Sequence, residues 1–129
     1  MAAGKYNFTI EQGTTIKLEF AYKDSNGNAI DLTGYNGRMQ IRPDFADNTT
    51  TSYIYLSSSL ATDGTGLNFS GSTGLNPPTS GTIGLFISAV SSSALDFDSA
   101  LYDIEIESGS IVTRLLQGTI KLSREVTRL

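Results

Sequence analysis

The sequence predicts an all-β sandwich, and three observations carry that expectation. From Ile16 to Tyr22 a large apolar side chain occupies every second position, with Lys17, Glu19 and Ala21 between. The last third of the chain, Leu101 to Glu107 and Ile111 to Leu122, repeats this alternation as one long hairpin. Between the alternating runs lie clusters of Gly, Asn, Asp and Ser that favour turns. Successive side chains of a strand point to opposite faces, so period-two alternation marks a half-buried strand.

Tyr6, Phe8 and Ile10 alternate with Asn7 and Thr9 and predict a short first strand, ended at Gln12-Gly13. In the next strand Ile16, Leu18, Phe20 and Tyr22 share the inner face, and Thr15, Lys17, Glu19 and Ala21 the outer one. Asp24 to Asn28 forms a turn, because Gly and Asn tolerate positive φ and Asp caps local N–H groups. After a corner at Ile30 to Tyr35, a third strand sets Tyr35, Gly37, Met39 and Ile41 against Asn36, Arg38, Gln40 and Arg42, and Pro43 ends it. Asp44 to Ser52 is a polar loop. Tyr53 to Leu56 and Gly66 to Phe69 are short strands, and Gly71 to Ser80, with Pro77-Pro78, is the least structured stretch. Thr82 to Ile87 is a strand with Ile83, Leu85 and Ile87 inward, and Ser88 to Leu95 a single helical turn.

In the final hairpin Tyr102, Ile104 and Ile106 face inward and Asp103, Glu105 and Glu107 outward, around a Ser108-Gly109-Ser110 turn. Leu115-Leu116 places apolar groups next to each other. A central strand, a bulge or a docking face would each do this. Together the elements predict an antiparallel immunoglobulin-like β-sandwich of 7–9 strands with at most one short helical turn, in one domain over 1–129. A chain of 129 residues removes roughly two-thirds of its unfolded surface from water, enough for one core.

The chain has no His, Cys or Trp. Disulfides and thiolate metal sites are therefore impossible, and the usual general base near neutral pH is missing. The net charge of −4, with scattered Lys and Arg, argues against nucleic acid as a partner. No apolar run approaches a membrane span, and no signal-peptide pattern opens the chain, so no membrane partner and a cytosolic assembly are expected.

Four candidate sites follow from residue chemistry. Asp24, Asn26, Asn28 and Asp31 supply oxygen ligands, but Gly27 falls at the wrong place for a calcium loop and no Glu closes it, which favours a plain turn. Asp103, Glu105 and Glu107, with Asp96 and Asp98 nearby, are the only paired carboxylates worth weighing for acid–base chemistry, and same-face acids on a strand are ordinarily its wet side. No catalytic residue, metal or cofactor is expected. Tyr53 and Tyr55 share a face beside a loop and form a candidate ligand surface, whereas Tyr6, Tyr22, Tyr35 and Tyr102 belong to core faces. Leu115 and the segment after the last strand, with Arg124, Glu125, Val126, Arg128 and Leu129, are candidate assembly contacts, through strand addition to a neighbouring sheet. Three N-glycosylation triplets, at Asn7, Asn48 and Asn68, are of the kind that chance supplies in a chain rich in Asn, Ser and Thr.

The segments Tyr6-Asn-Phe-Thr-Ile-Glu-Gln-Gly13, Tyr22-Lys-Asp-Ser-Asn-Gly-Asn-Ala-Ile-Asp-Leu-Thr-Gly-Tyr35 and Arg38-Met-Gln-Ile-Arg42 resemble a family of small structural proteins of tailed bacteriophages. Tyr102-Asp-Ile-Glu-Ile-Glu107 and the run from Thr113 to Arg128 extend the likeness. The outline is similar to the N-terminal immunoglobulin-like domain of phage upper baseplate proteins. The middle, Asp44 to Ser80, shows no likeness, and the chain stops where baseplate proteins continue. The resemblance implies a virion component assembled in the host cytoplasm, in many symmetric copies against other virion proteins of tail, baseplate or neck. A capsid decoration protein is the alternative within that class. A host-glycan-binding module using Tyr53 and Tyr55 is the alternative outside it.

Overall fold

Among the described residues, nine strands in two sheets enclose one shared core. The computed structural model describes residues 4–43 and 52–127. The predicted loop Asp44 to Ser52 therefore lies almost wholly outside the described residues, as do Arg128 and Leu129. The strands are β1 (Gly4–Lys5), β2 (Phe8–Glu11), β3 (Ile16–Ala21), β4 (Asn36–Arg42), β5 (Ile54–Ser57), β6 (Gly66–Asn68), β7 (Thr82–Ile87), β8 (Ser99–Ser108) and β9 (Ile111–Ser123). One sheet runs β1-β9-β8-β4-β5 with β2 also on β9, and the other runs β3-β7-β6. A five-residue helix, α1 (Ala89–Ser93), and a 3-10 turn at Pro78–Ser80 complete the described residues. No described helix is long and apolar enough to cross a membrane.

Alternation fixes the core. Met39 and Ile41 of β4, Leu56 of β5, Tyr102, Ile104 and Ile106 of β8, and Ile120 of β9 come from the larger sheet. They meet Leu67, Ile83, Leu85 and Ile87 from the smaller one, all buried. Burying side chains of this size stabilises by roughly 1.5–3 kcal/mol each before entropy is counted. Gly84 in β7 faces outward, where a Cβ would strike the backbone of Gly71 and Ser72, so the loop after β6 lies flat on the smaller sheet. Glu19 holds that loop by accepting from the Ser72 N–H (3.0 Å) and hydroxyl (2.8 Å). The segment Gly71 to Ser80 is thus tethered and contains a 3-10 turn, contrary to its reading as the least structured stretch. With α1 it makes two short helical turns among the described residues, one more than expected.

The antiparallel expectation also fails at one edge. β1 and β2 run parallel to β9, so the larger sheet is mixed. The predicted first strand is split at Tyr6-Asn7, where the chain passes Gly118. There the Asn7 side-chain oxygen accepts from the Thr119 N–H (2.9 Å) and hydroxyl (3.0 Å), replacing a ladder bond. This break turns Tyr6 outward to 42 % exposure, although its alternation suggested the core. Its ring still packs edge-on against Phe20 and stacks on Phe8.

The register between β8 and β9 shifts between Ile104 and Glu105, leaving Leu115 as the extra residue of a bulge. A bulge sets two residues opposite one. Leu115 and Leu116 accordingly both pack against the core and line one small crevice with Phe20, Tyr22, Ile83 and Ile104.

Candidate functional site

The strand pattern distributes the chemistry-bearing residues over the outer face of the larger sheet, one end of the sandwich and the sheet edges. On the outer face, β4 contributes Arg38, Gln40 and Arg42, and its antiparallel neighbour β8 contributes Glu107, Glu105 and Asp103. Arg38 pairs with Glu105 (2.9 Å) and lies 3.7 Å from Glu107, and Arg114 of β9 lies 3.4 Å from Asp103. Arg42 donates to the Gln40 side-chain oxygen (2.8 Å). Each candidate carboxylate therefore faces an arginine across the ladder. Desolvation and the neighbouring Glu105 push the Asp103 carboxyl above its usual value, and Arg114, Arg38 and Arg42 pull the other way. Exposed pairs of this kind add little to stability, because water screens them, and mainly fix the side chains in place.

The other two acids lie elsewhere. Asp96 and Asp98 precede β8 at the far end and both bind Arg124, at 2.6 and 3.4 Å. Just beyond, the Glu125 N–H donates to the Gln12 side-chain oxygen (3.1 Å), and the Gln12 amide donates to the Leu95 carbonyl (2.8 Å). Residues 124 and 125 are thus strapped across the end of β9. They border a cleft of about 660 Å³ formed with Gln12, Gly13, Val90 and Leu95. Val126 follows at 96 % exposure. Of the candidate assembly residues, Arg124 and Glu125 are held within their own chain, Val126 is free on the surface and Leu115 lines the core crevice.

Asp24 accepts from the N–H groups of Asn26 and Asn28, both at 2.9 Å, and Asp31 from the N–H and hydroxyl of Thr33. These bonds lower both carboxyls below their usual range. The carboxylates thereby serve their own turns, and among the described residues no three acidic side chains gather to hold a metal ion. A different aspartate, not singled out by the sequence, is bound more strongly. Asp63 accepts from the Ser88 hydroxyl (2.6 Å), the Thr65 N–H (3.0 Å) and the Ser91 hydroxyl (3.4 Å). Ser88 itself caps α1 by accepting from the Ser91 N–H.

The Ser88 hydroxyl, followed by Thr65, takes the Asp63 carboxyl from 3.8 to about 2. A depressed carboxyl stabilises the fold above its unfolded value, and that contribution is lost as pH falls through the folded one. The melting temperature is therefore expected to fall between pH 4 and pH 2, and Asp63→Asn should flatten the fall in calorimetric scans over that window. Equal slopes in the two proteins would remove this network from the account.

The two candidate tyrosines separate. Tyr53 precedes β5, donates its N–H to the Ile41 carbonyl and stacks on the buried Phe97, with ring centroids 4.8 Å apart. Tyr55 lies within β5 opposite Gln40, with its side chain on the outer face at 52 % exposure.

One strand edge and two ends present exposed groups. β3 is the last strand of its sheet, and among the described residues no strand pairs along its free side. The Tyr22 N–H donates to the Gly81 carbonyl (2.7 Å). Antiparallel alternation from that bond aims the backbone groups of Lys17, Glu19 and Ala21 away from β7. Ile111 at the hairpin tip is 71 % exposed beside the partly exposed Val112. Val90 and Val126 stand at the opposite end, by the cleft. No protein-family model matches the chain, and no curated protein matches it either.

Proposed function

We propose that the chain is an immunoglobulin-like β-sandwich that serves as a structural component of a tailed-bacteriophage virion, in its tail, baseplate or neck. It acts by protein–protein assembly in several symmetric copies, put together in the host cytoplasm, and carries no catalytic role. The observation that carries this reading, beside the sequence likeness, is the placement of exposed apolar residues at both ends of the long hairpin. Ile111 and Val112 mark one end, Val90 and Val126 the other. The ten residues of β8 separate these ends by roughly 33 Å. A rigid block with an adhesive group at each end, and an unpaired β3 edge along its side, suits repetition by symmetry, where modest contacts add by avidity. A capsid decoration protein would use the same contacts on a shell.

The test is assembly itself. Mass spectrometry and electron microscopy of purified particles should find the chain in stoichiometric amounts. Val126→Asp, or Ile111→Asp with Val112→Asp, should lower its incorporation by about tenfold or more while leaving the monomer folded, since a buried unpaired charge is costly. A chain that is absent from particles and monomeric at every concentration defeats the reading.

A further inference from the structure

The outer face of the larger sheet holds a row of side chains that the assembly reading does not use. Across β5, β4, β8 and β9 the register aligns Tyr55 with Gln40, Gln40 with Asp103, and Asp103 with Gln117. Strands lie about 4.8 Å apart, so the row spans roughly 14 Å from ring to amide. We propose that this row is a binding site for a neutral oligosaccharide, one sugar ring stacking on Tyr55 and its neighbours bonding to Gln40, Asp103 and Gln117.

Charge selects the occupant. Over this stretch Arg38, Arg42 and Arg114, with Lys5 beside Gln117 at the end of the row, stand against Asp103, Glu105 and Glu107. Cations and carboxylates of the described residues here thus differ by one and alternate in position, which gives neither a polyanion nor a basic peptide a field of one sign to follow. Its apolar groups among the described residues, the Tyr55 ring, the partly buried Leu101 and Val112 at the margin, stand on three different strands rather than together at the centre, where protein partners need an anchor. A sugar asks for what is present: a flat aromatic surface for its C–H groups and fixed polar atoms for its hydroxyls. Those atoms are held in place before any ligand arrives. Arg42 holds the Gln40 oxygen, and Arg114 reaches both Asp103 and, at 3.5 Å, the Gln117 oxygen. Prior ordering reduces the entropy lost on binding.

The test uses the full chain with maltotriose, cellotriose and chitotriose, and with a sialylated trisaccharide and a heparin tetrasaccharide as anionic comparisons. Amide chemical shifts followed by NMR should saturate with at least one neutral sugar and move chiefly along β4, β5 and β8. Affinity should fall about tenfold in Tyr55→Ala, and less than about twofold in Tyr53→Ala, whose ring is already engaged by Phe97. Gln40→Leu, which leaves the ring intact, should weaken binding as well. Overturning results are absence of saturation with every neutral sugar, shifts elsewhere on the molecule, an unchanged affinity in Tyr55→Ala, or binding by the anionic sugars alone. Presence or absence of the chain in virions bears on none of these outcomes.

Discussion

Gly118→Val is expected to destabilise the protein by about 3 kcal/mol or more, a large share of what a domain of this size possesses. Gly118 sits in β9 opposite Tyr102 of β8, and on its other side the chain passes at Tyr6 and Asn7. A Cβ at Gly118 would land on the Tyr6 carbonyl and beside the Asn7 side-chain oxygen, 2.8 Å away. Because the position is bare, the buried Tyr102 ring can reach across β9 and donate its hydroxyl to the Tyr6 carbonyl (2.6 Å). Burial raises the Tyr102 phenol well above its ordinary value, so the hydroxyl stays a donor at any ordinary pH. A valine side chain would push the first strand off the sheet, orphan the phenol and break the Asn7 bonds to Thr119. Gly4→Ala is the comparison from the same sheet edge, because its Cβ would come nearest the flexible end of the Leu116 side chain, at 3.3 Å, and meet the Leu115 carbonyl at an ordinary 3.6 Å. That variant should lose less than about 1 kcal/mol in urea melts. Comparable losses in both would mean that the crossing at Gly118 is not what seats β1 and β2.

The same crossing explains what sequence could and could not tell. Alternation identified β3, β4, β7, β8 and β9 within one or two residues, because each has one face in the core and the pleat leaves no other arrangement of Ile104, Ile106 or Leu85. Alternation carries no information about which neighbour a strand takes or in which direction. The parallel pairing of β2 with β9 was therefore not legible in Phe8 to Glu11. Leu115-Leu116 was legible as an irregularity, and only the register showed that both leucines turn inward. In the candidate ligand surface, Tyr53 and Tyr55 looked equivalent because Phe97, far off in sequence, gives no sign that it covers one of them. Asp63 and Ser92 were missed for a related reason. Ser88 is 25 residues from Asp63 and Thr14 is 78 from Ser92, and in the Ser-rich run from Ser88 to Ser93 one hydroxyl looks like the next.

Ser92→Val should be the most damaging single change at the cleft end of the molecule, costing about 3 kcal/mol. Ser92 is fully buried in α1. Its hydroxyl accepts from the Gly13 N–H (3.1 Å) and donates to the Thr14 carbonyl (2.7 Å), joining the helix to the turn between β2 and β3. Valine removes both bonds and adds volume where none is free, whereas Ser92→Ala removes the bonds alone and should cost about 2 kcal/mol. Ser93→Ala, one residue on, loses only an exposed bond to the Val90 carbonyl and should stay within about 0.5 kcal/mol of the wild type. The effect should also spread outward in a defined direction. Gln12, next to Gly13, carries the Glu125 N–H on one side and the Leu95 carbonyl on the other. Loosening the turn should therefore release residues 124 to 127, seen as faster hydrogen exchange at the Glu125 amide, while the amides of β4 and β8 keep their protection. If Ser92→Val unfolds the whole sheet at the same rate, the strap has no independence. If Ser92→Ala behaves like Ser93→Ala, the buried hydroxyl is not what ties α1 to the turn.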